Sequence, residues 1–142
     1  MRIAVISLVV AWLAVLSCYD IGQRRLPNLL TLPGAGVILL GAVIAGRGSP
    51  ALAGAAALSG VYLLVHLAAP AAMGAGDVKL AIGLGALTGC FGVEVWFLAA
   101  LGAPLLTAVV GVVAALGRSR LTVPHGPSMC LASIAAVALA AF

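Results

Sequence analysis

The chain has 142 residues, of which 65% are hydrophobic and only 7% charged, with a mean hydropathy of +1.32 and a formal net charge of +4. These values exclude an ordinary soluble globular domain and predict an integral membrane protein. The basic residues are explained by orientation in the membrane, so the charge does not indicate nucleic-acid binding. Long continuous apolar runs favour helices over a closed β-barrel, whose strands alternate polar and apolar residues.

The apolar runs predict an all-α bundle of about six transmembrane helices. They form a single membrane-embedded domain over residues 1–142, with no separate soluble domain. In chain order, the helices are expected at about Ile3–Tyr19, Leu32 or Gly34 to Ala45, Ala51–Ala69, Leu80–Val93, Val95–Leu116 and Ser128–Phe142. The first run could pass for a signal peptide, but the basic pair that follows it favours a retained helix.

Gly and Ala are abundant, which favours helices that pack closely through small side chains, with Gly85 and Gly89 as one such pair. The segment from Asp20 to Pro33 is expected to be a polar connection in which the chain bends, because each of its two prolines disfavours helix in the residue before it. The turn 46–50 contains two glycines and a proline and separates the second and third helices.

The placement of the basic residues predicts the orientation of the chain, because short cytoplasmic loops collect Lys and Arg. With six spans, one side holds Arg2 and Arg47, and the other side holds Arg24, Arg25, Lys79, Arg118 and Arg120. We therefore expect the second side to be cytoplasmic and both termini to lie outside, in the periplasm. Asp20, Asp77 and the turn 124–127 then share the cytoplasmic face, whereas Glu94 lies on the opposite side.

Asp77 is the most informative residue, since a carboxylate between two apolar runs is costly and Gly74 and Gly76 leave room for another chain beside it. Besides Asp77, the chain has two acidic residues, Asp20 and Glu94. Two carboxylates a few ångströms apart share one proton, so the pair supplies a general base and a general acid together. The sequence therefore predicts that Asp20 and Asp77 hydrolyse a peptide bond without a metal.

Structural roles for these residues stay open at this point. Asp77 could cap the fourth helix, and Asp20 could pair with Arg24 four residues later. Lys79 is expected to extend to the membrane edge, and Arg24 and Arg25 are expected to act first as orientation charges. His66 is expected to bond a neighbouring helix.

The remaining candidate ligands give no support for a metal site. His66 and His125 lie on different segments, and Cys18, Cys90 and Cys130 form no CxxC pair. We interpret the three cysteines as small buried hydrophobic residues.

Three motifs resemble those of the type IV prepilin leader peptidases, which are membrane aspartyl proteases of the GxGD class. Residues 20–28, DIGQRRLPN, resemble the first motif, and residues 74–79, GAGDVK, match the second, GxGDxK. Residues 124–127 resemble the third, a Pro-aromatic-Gly-Pro turn, with His125 in place of the aromatic residue. Asp20 and Asp77 match the catalytic aspartates, and the supporting motif residues are Arg24, Arg25, Pro27, Asn28, Gly74, Gly76, Lys79, Pro124, Gly126 and Pro127.

The resemblance implies an enzyme of the bacterial inner membrane that removes the basic leader from a prepilin or pseudopilin precursor at the cytoplasmic face. Larger relatives also methylate the new N-terminus through a domain with paired cysteines. This chain has neither the length for such a domain nor CxxC pairs. We therefore expect peptidase activity of the short Tad/Flp-pilus type, without methylation and with no cofactor. The oligomeric state is unknown.

Other functions are possible from the sequence alone. The archaeal preflagellin peptidases have similar motifs. A small proton or cation transporter would use carboxylates as a relay, but it would distribute them across the depth of the membrane. A purely structural membrane subunit is a further alternative.

Overall fold

The computed structural model describes residues 2–118 and 122–141. These residues form six α-helices and no strand, which confirms the predicted all-α chain. The helices are α1 Arg2–Gln23, α2 Asn28–Ile44, α3 Gly48–Ala68, α4 Ala75–Gly89, α5 Val93–Leu116 and α6 Gly126–Ala141. Arg120, which entered the prediction of orientation, and Phe142, the predicted end of the last helix, lie outside the described residues.

Three helices are long and apolar enough to cross a membrane, namely α1 from Ala4, α3 and α5. The helices α2 and α6 are apolar but shorter, with 17 and 16 residues. The helix α4 has 15 residues, which at 1.5 Å per residue span about 22 Å, less than the ~30 Å of a hydrocarbon core. The six predicted spans therefore differ in length, and three of them meet the length of a full crossing.

The predicted connection from Asp20 to Pro33 is too long at both ends. The helix α1 continues through Asp20 to Gln23, and α2 already begins at Asn28. Pro27 precedes α2 in an extended conformation, and its carbonyl accepts the N–H groups of Leu30 and Thr31 at 3.0 and 3.1 Å. Pro33 lies inside α2 near its start, where it removes a single N–H donor.

Other helix boundaries also move toward the N-terminus. The third helix begins at Gly48 instead of Ala51, with Pro50 in its first turn, where the N–H of a residue has no intrahelical partner. The fourth begins at Ala75 instead of Leu80, so that Asp77 is helical. In each case a residue with low helix propensity lies in the first turn, where its cost is small.

The helix α4 lies at the centre of the bundle and packs against α2, α3, α5 and α6. Its Leu80 and Leu84 are fully buried. At its crossing with α3, a Cβ atom on Gly89 would lie 2.6 Å from the carbonyl oxygen of Pro50, and one on Gly85 would lie 2.9 Å from the Cβ of Leu58. These close approaches confirm that Gly85 and Gly89 form a small-residue packing surface.

The cysteines differ from the prediction of three buried side chains. Only Cys130 is buried, while Cys90 is half-buried and Cys18 is exposed. Cys18 lies on the side of α1 that faces away from the other helices, and an exposed small apolar group costs little on a surface of predominantly apolar residues.

Candidate active site

A cleft of about 300 Å³ opens between the C-terminal end of α1 and the N-terminal end of α4. Two segments that are distant in the sequence form its walls. The lining residues are Asp20, Arg24, Arg25, Leu26, Asn28, Gly74, Ala75, Gly76, Asp77 and Lys79. The structure thus places both predicted catalytic aspartates and most of the supporting motif residues in one cleft. Pro27 does not line the cleft; it lies between the lining residues Leu26 and Asn28 as the residue that precedes α2.

Asp20 lies in the last turn of α1 and is only 8% exposed. Its Oδ2 accepts a hydrogen bond of 2.9 Å from the backbone N–H of Gly126, the first residue of α6. A Cβ atom on Gly126 would lie 2.5 Å from that oxygen and 3.0 Å from Cγ, which is closer than real side chains come. Glycine is therefore required here for the close approach, and the N–H bond favours the ionised form of Asp20 against the opposing effect of its burial.

Asp77 is half-buried and occupies the third helical position of α4, with Gly74 as the residue that caps the helix. The interpretation of Asp77 as the N-cap residue is therefore wrong. Its carboxylate instead accepts a hydrogen bond from the backbone of Gly74, as the third helical residue does in a capping box. Burial raises the pKa of Asp77 to about 6, with a smaller contribution from the charge of Asp20, while the Gly74 bond opposes the increase.

Gly76 and Lys79 connect α4 to the start of α2. A Cβ atom on Gly76 would lie 3.1 Å from the Cβ of Leu26, so the glycine leaves room for the connection to cross α4. The Nζ of Lys79 donates a 2.7 Å hydrogen bond to Oδ1 of Asn28. Lys79 therefore links α4 to the start of α2 at the wall of the cleft. The sequence predicted only that it extends to the membrane edge.

Arg24 is the residue after α1, and its side chain contacts the segment before α6. Its φ of +51° is in the left-handed region, which costs a residue other than glycine about 1–2 kcal/mol. Its guanidinium donates to Oγ1 of Thr122 and, at 3.1 Å, to the Thr122 carbonyl. The guanidinium therefore bonds Thr122 and not Asp20, although its positive charge still favours the ionised form of Asp20. Arg25 is exposed and lines the cleft.

The third motif, residues 124–127, does not line the cleft, but its Gly126 bonds Asp20, which does. Pro124 and Pro127 are half-buried on either side of His125 and Gly126. The Nε2 atom of His125 lies 2.9 Å from the hydroxyl of Tyr62 in α3. Its Nδ1 atom lies 2.6 Å from Oγ1 of Thr107 in α5.

Tyr62 and Thr107 were not predicted from the sequence. The available signal was that each is one of a few polar side chains in a predominantly apolar helix. His66 was predicted to bond a neighbouring helix, and this is wrong. Its Nδ1 donates a 2.7 Å hydrogen bond to the carbonyl of Met73, in the loop before Gly74. Within residues 2–118 and 122–141, no group of three or more His, Cys, Asp or Glu side chains could hold a metal ion.

The family of the chain follows from a comparison with family models. Residues 7–141 match the model of the type IV leader peptidase family, which covers nearly the whole chain. The chain therefore belongs to the type IV leader peptidase family, and the resemblance found in the three motifs is confirmed. Comparison with curated proteins and with solved structures gives no match.

Proposed function

We propose that this member of the type IV leader peptidase family cleaves the basic leader from a type IV pilin-like precursor, and that Asp20 and Asp77 activate the attacking water. One observation carries the proposal. Two of the three acidic residues in the chain, from distant segments, line one cleft in different environments. That arrangement supplies both partners of an acid-base pair.

The environments assign the two roles. Burial disfavours the ionised form of Asp20, but the Gly126 N–H and the positive charge of Arg24 favour it, so we assign Asp20 as the base. Asp77 is the acid, because burial and the charge of Asp20 raise its pKa to about 6. About half of the Asp77 side chains hold a proton at pH 6, and about one tenth hold one at pH 7.

The reaction then proceeds in two steps. Asp20 takes a proton from water as the water oxygen bonds to the scissile carbonyl carbon, and Asp77 gives its proton to the carbonyl oxygen. The tetrahedral intermediate collapses when Asp20 returns its proton to the leaving nitrogen and the C–N bond breaks. Asp77 regains its proton from the hydroxyl that becomes the carbonyl of the new carboxyl group. No cofactor takes part in either step.

The charge distribution supports a cytoplasmic location for the cleft. Arg24, Arg25 and Lys79 lie at its wall, and Lys and Arg accumulate on the cytoplasmic side of membrane proteins. On this proposal the enzyme crosses the bacterial inner membrane with both termini in the periplasm. The apolar helix of the precursor stays in the bilayer, while its leader enters the cleft from the cytoplasm, as in the Tad/Flp type of enzyme.

The proposal is tested by co-expressing the protein with a prepilin in membranes and following leader removal by mobility on gels. We expect Asp20→Asn and Asp77→Asn each to abolish cleavage, because each removes one half of the acid-base pair at nearly constant size. Glu94→Gln is the matched control, since Glu94 is exposed in the first turn of α5 and does not line the cleft. All variants are first shown to be inserted by blotting. Near-normal cleavage by either aspartate variant would refute the assigned role.

A further inference from the structure

His125 lies outside the cleft, but it connects two helices, α3 and α5, to the segment that contacts Asp20. Its ring bonds Tyr62 of α3 and Thr107 of α5, and the next residue, Gly126, donates its N–H to Asp20 of α1. We propose that His125 is a positioning residue of the peptidase, which through Tyr62 and Thr107 fixes the turn 122–126 so that the Gly126 N–H meets the Asp20 carboxylate. This inference rests on the proposed function.

The tautomer of His125 is inferred from the hydrogen bonds around it. Oγ1 of Thr107 lies 3.1 Å from the carbonyl of Ala103, four residues earlier in α5, and we assign the hydroxyl hydrogen to this bond. The hydroxyl then accepts from Nδ1, which carries a proton. In the neutral ring Nε2 is then an acceptor, and it receives the hydroxyl hydrogen of Tyr62. Each group in the series Tyr62, His125, Thr107 and Ala103 donates to the next.

The neutral ring is consistent with its surroundings. Burial lowers the pKa of His125, and the charge of Asp20 only partly opposes this. Of the ionisable groups that face it, Tyr62 comes from α3 and Asp20 from α1, while Asp77 of α4 lies near enough to Tyr62 to affect it electrostatically. A protonated ring could not accept the hydrogen of Tyr62, so the series exists only with neutral His125.

The turn 122–126 depends on these side-chain bonds because residues 122–125 precede the helix. Arg24 bonds the turn at Thr122. Tyr62 and Thr107 bond it at His125. Asp20 accepts the N–H of its last residue, Gly126. Gly126 has little room to move, because its Cα lies so close to Asp20 that a Cβ would not fit. A small displacement of His125 would therefore lengthen the bond to Asp20.

Two variants test the role of the hydrogen bonds. Tyr62→Phe removes one hydroxyl and keeps the ring, and His125→Phe removes both bonds at similar size. We expect kcat for leader cleavage to fall about 3- to 30-fold while KM changes less than about twofold, because the N–H bond acts on the carboxylate and not on precursor binding. The acidic limb of the pH profile should move to higher pH by about half a unit to one unit, since the ionised carboxylate loses a donor.

His125→Gln is the conservative rescue, because its carboxamide keeps one acceptor and one donor on a side chain of similar length. It should recover most of the kcat that His125→Phe loses and restore the pH profile. Tyr19→Phe removes a hydroxyl from an exposed tyrosine of α1 and serves as the control. If the variants only reduced the amount of inserted protein, with kcat and pH profile per enzyme unchanged, the positioning role would be refuted.

A second measurement does not depend on cleavage. In ¹⁵N-histidine spectra of the purified protein, we expect His125 to be neutral with its proton on Nδ1, and Tyr62→Phe should change the Nε2 resonance. His66→Gln assigns the two histidines. A cationic His125, or a proton on Nε2, would overturn the inference even if the enzyme cuts its precursor. Conversely, the expected tautomer in a protein that cuts no pilin-like precursor would refute the proposed function and leave the hydrogen-bond series intact.

Discussion

Gly126→Ala would separate the chemistry of Asp20 from the stability of the bundle. The added Cβ would lie 2.5 Å from Oδ2 of Asp20, whereas ordinary van der Waals contact begins near 3.4 Å, so the two groups must move apart by about 0.9 Å. If the whole shift falls on the 2.9 Å N–H bond, the bond lengthens to about 3.8 Å and no longer counts as a hydrogen bond.

A hydrogen bond to a charged group contributes about 1.5–3 kcal/mol, and each 1.4 kcal/mol is a factor of ten. We therefore expect Gly126→Ala to lower kcat for leader cleavage by about 10- to 150-fold. The amount of inserted protein should not fall in proportion, because Ala has a higher helix propensity than Gly in the first turn of α6.

The assay is leader removal by purified protein in lipid vesicles, expressed per mole of inserted enzyme. Gly111→Ala in α5 is the matched control, because a Cβ there meets no atom within 4 Å. The reasoning would be refuted if Gly126→Ala cleaved within about twofold of the unaltered protein, since that rate change corresponds to less than about 0.5 kcal/mol. It would also be refuted if Gly111→Ala lost as much activity.

Two further predictions concern the acid of the pair and the packing of α4. Because Asp77 must hold a proton and burial raises its pKa to about 6, kcat/KM should fall about tenfold per pH unit above that value, as measured between about pH 5.5 and pH 8. A rate that stayed constant or rose toward pH 8 would exclude Asp77 as the acid. Gly85→Ala should destabilise the protein by about 1–3 kcal/mol, because the new Cβ would meet Leu58 and the backbone of α3. Thermal unfolding in detergent measures this effect against Gly60→Ala, where a Cβ meets nothing within 4 Å, and equal melting temperatures would contradict it.

The sequence predicted the cleft better than its surroundings. Asp20 and Asp77 could be assigned to one end of the bundle because alternating spans constrain which connections share a face, and few acidic residues exist to choose from. The start of α2 could not be predicted in the same way. The local penalty of Pro33 suggested a later start, but Pro27 provides a carbonyl that begins the helix at Asn28.

The hydrogen-bond partners of Tyr62, Thr107 and His66 also could not be predicted from the sequence. Tyr62 and Thr107 each lie in an apolar run, where no periodicity shows which way a side chain faces. Their contact with His125 depends on how α3 and α5 rotate about their axes, and tertiary packing sets that rotation. His66 likewise had several possible acceptors within reach, and only the folded path of the loop selects the carbonyl of Met73.

The central position of α4 has a consequence for how this helix is held in the membrane. It is too short to cross a hydrocarbon core and carries Asp77 and Lys79 in its first two turns, so it is poorly suited to insert into a bilayer by itself. Gly85 and Gly89 bring its backbone close to that of α3. The position of α4, and with it that of Asp77, therefore depends on packing against α3 more than on contact with lipid.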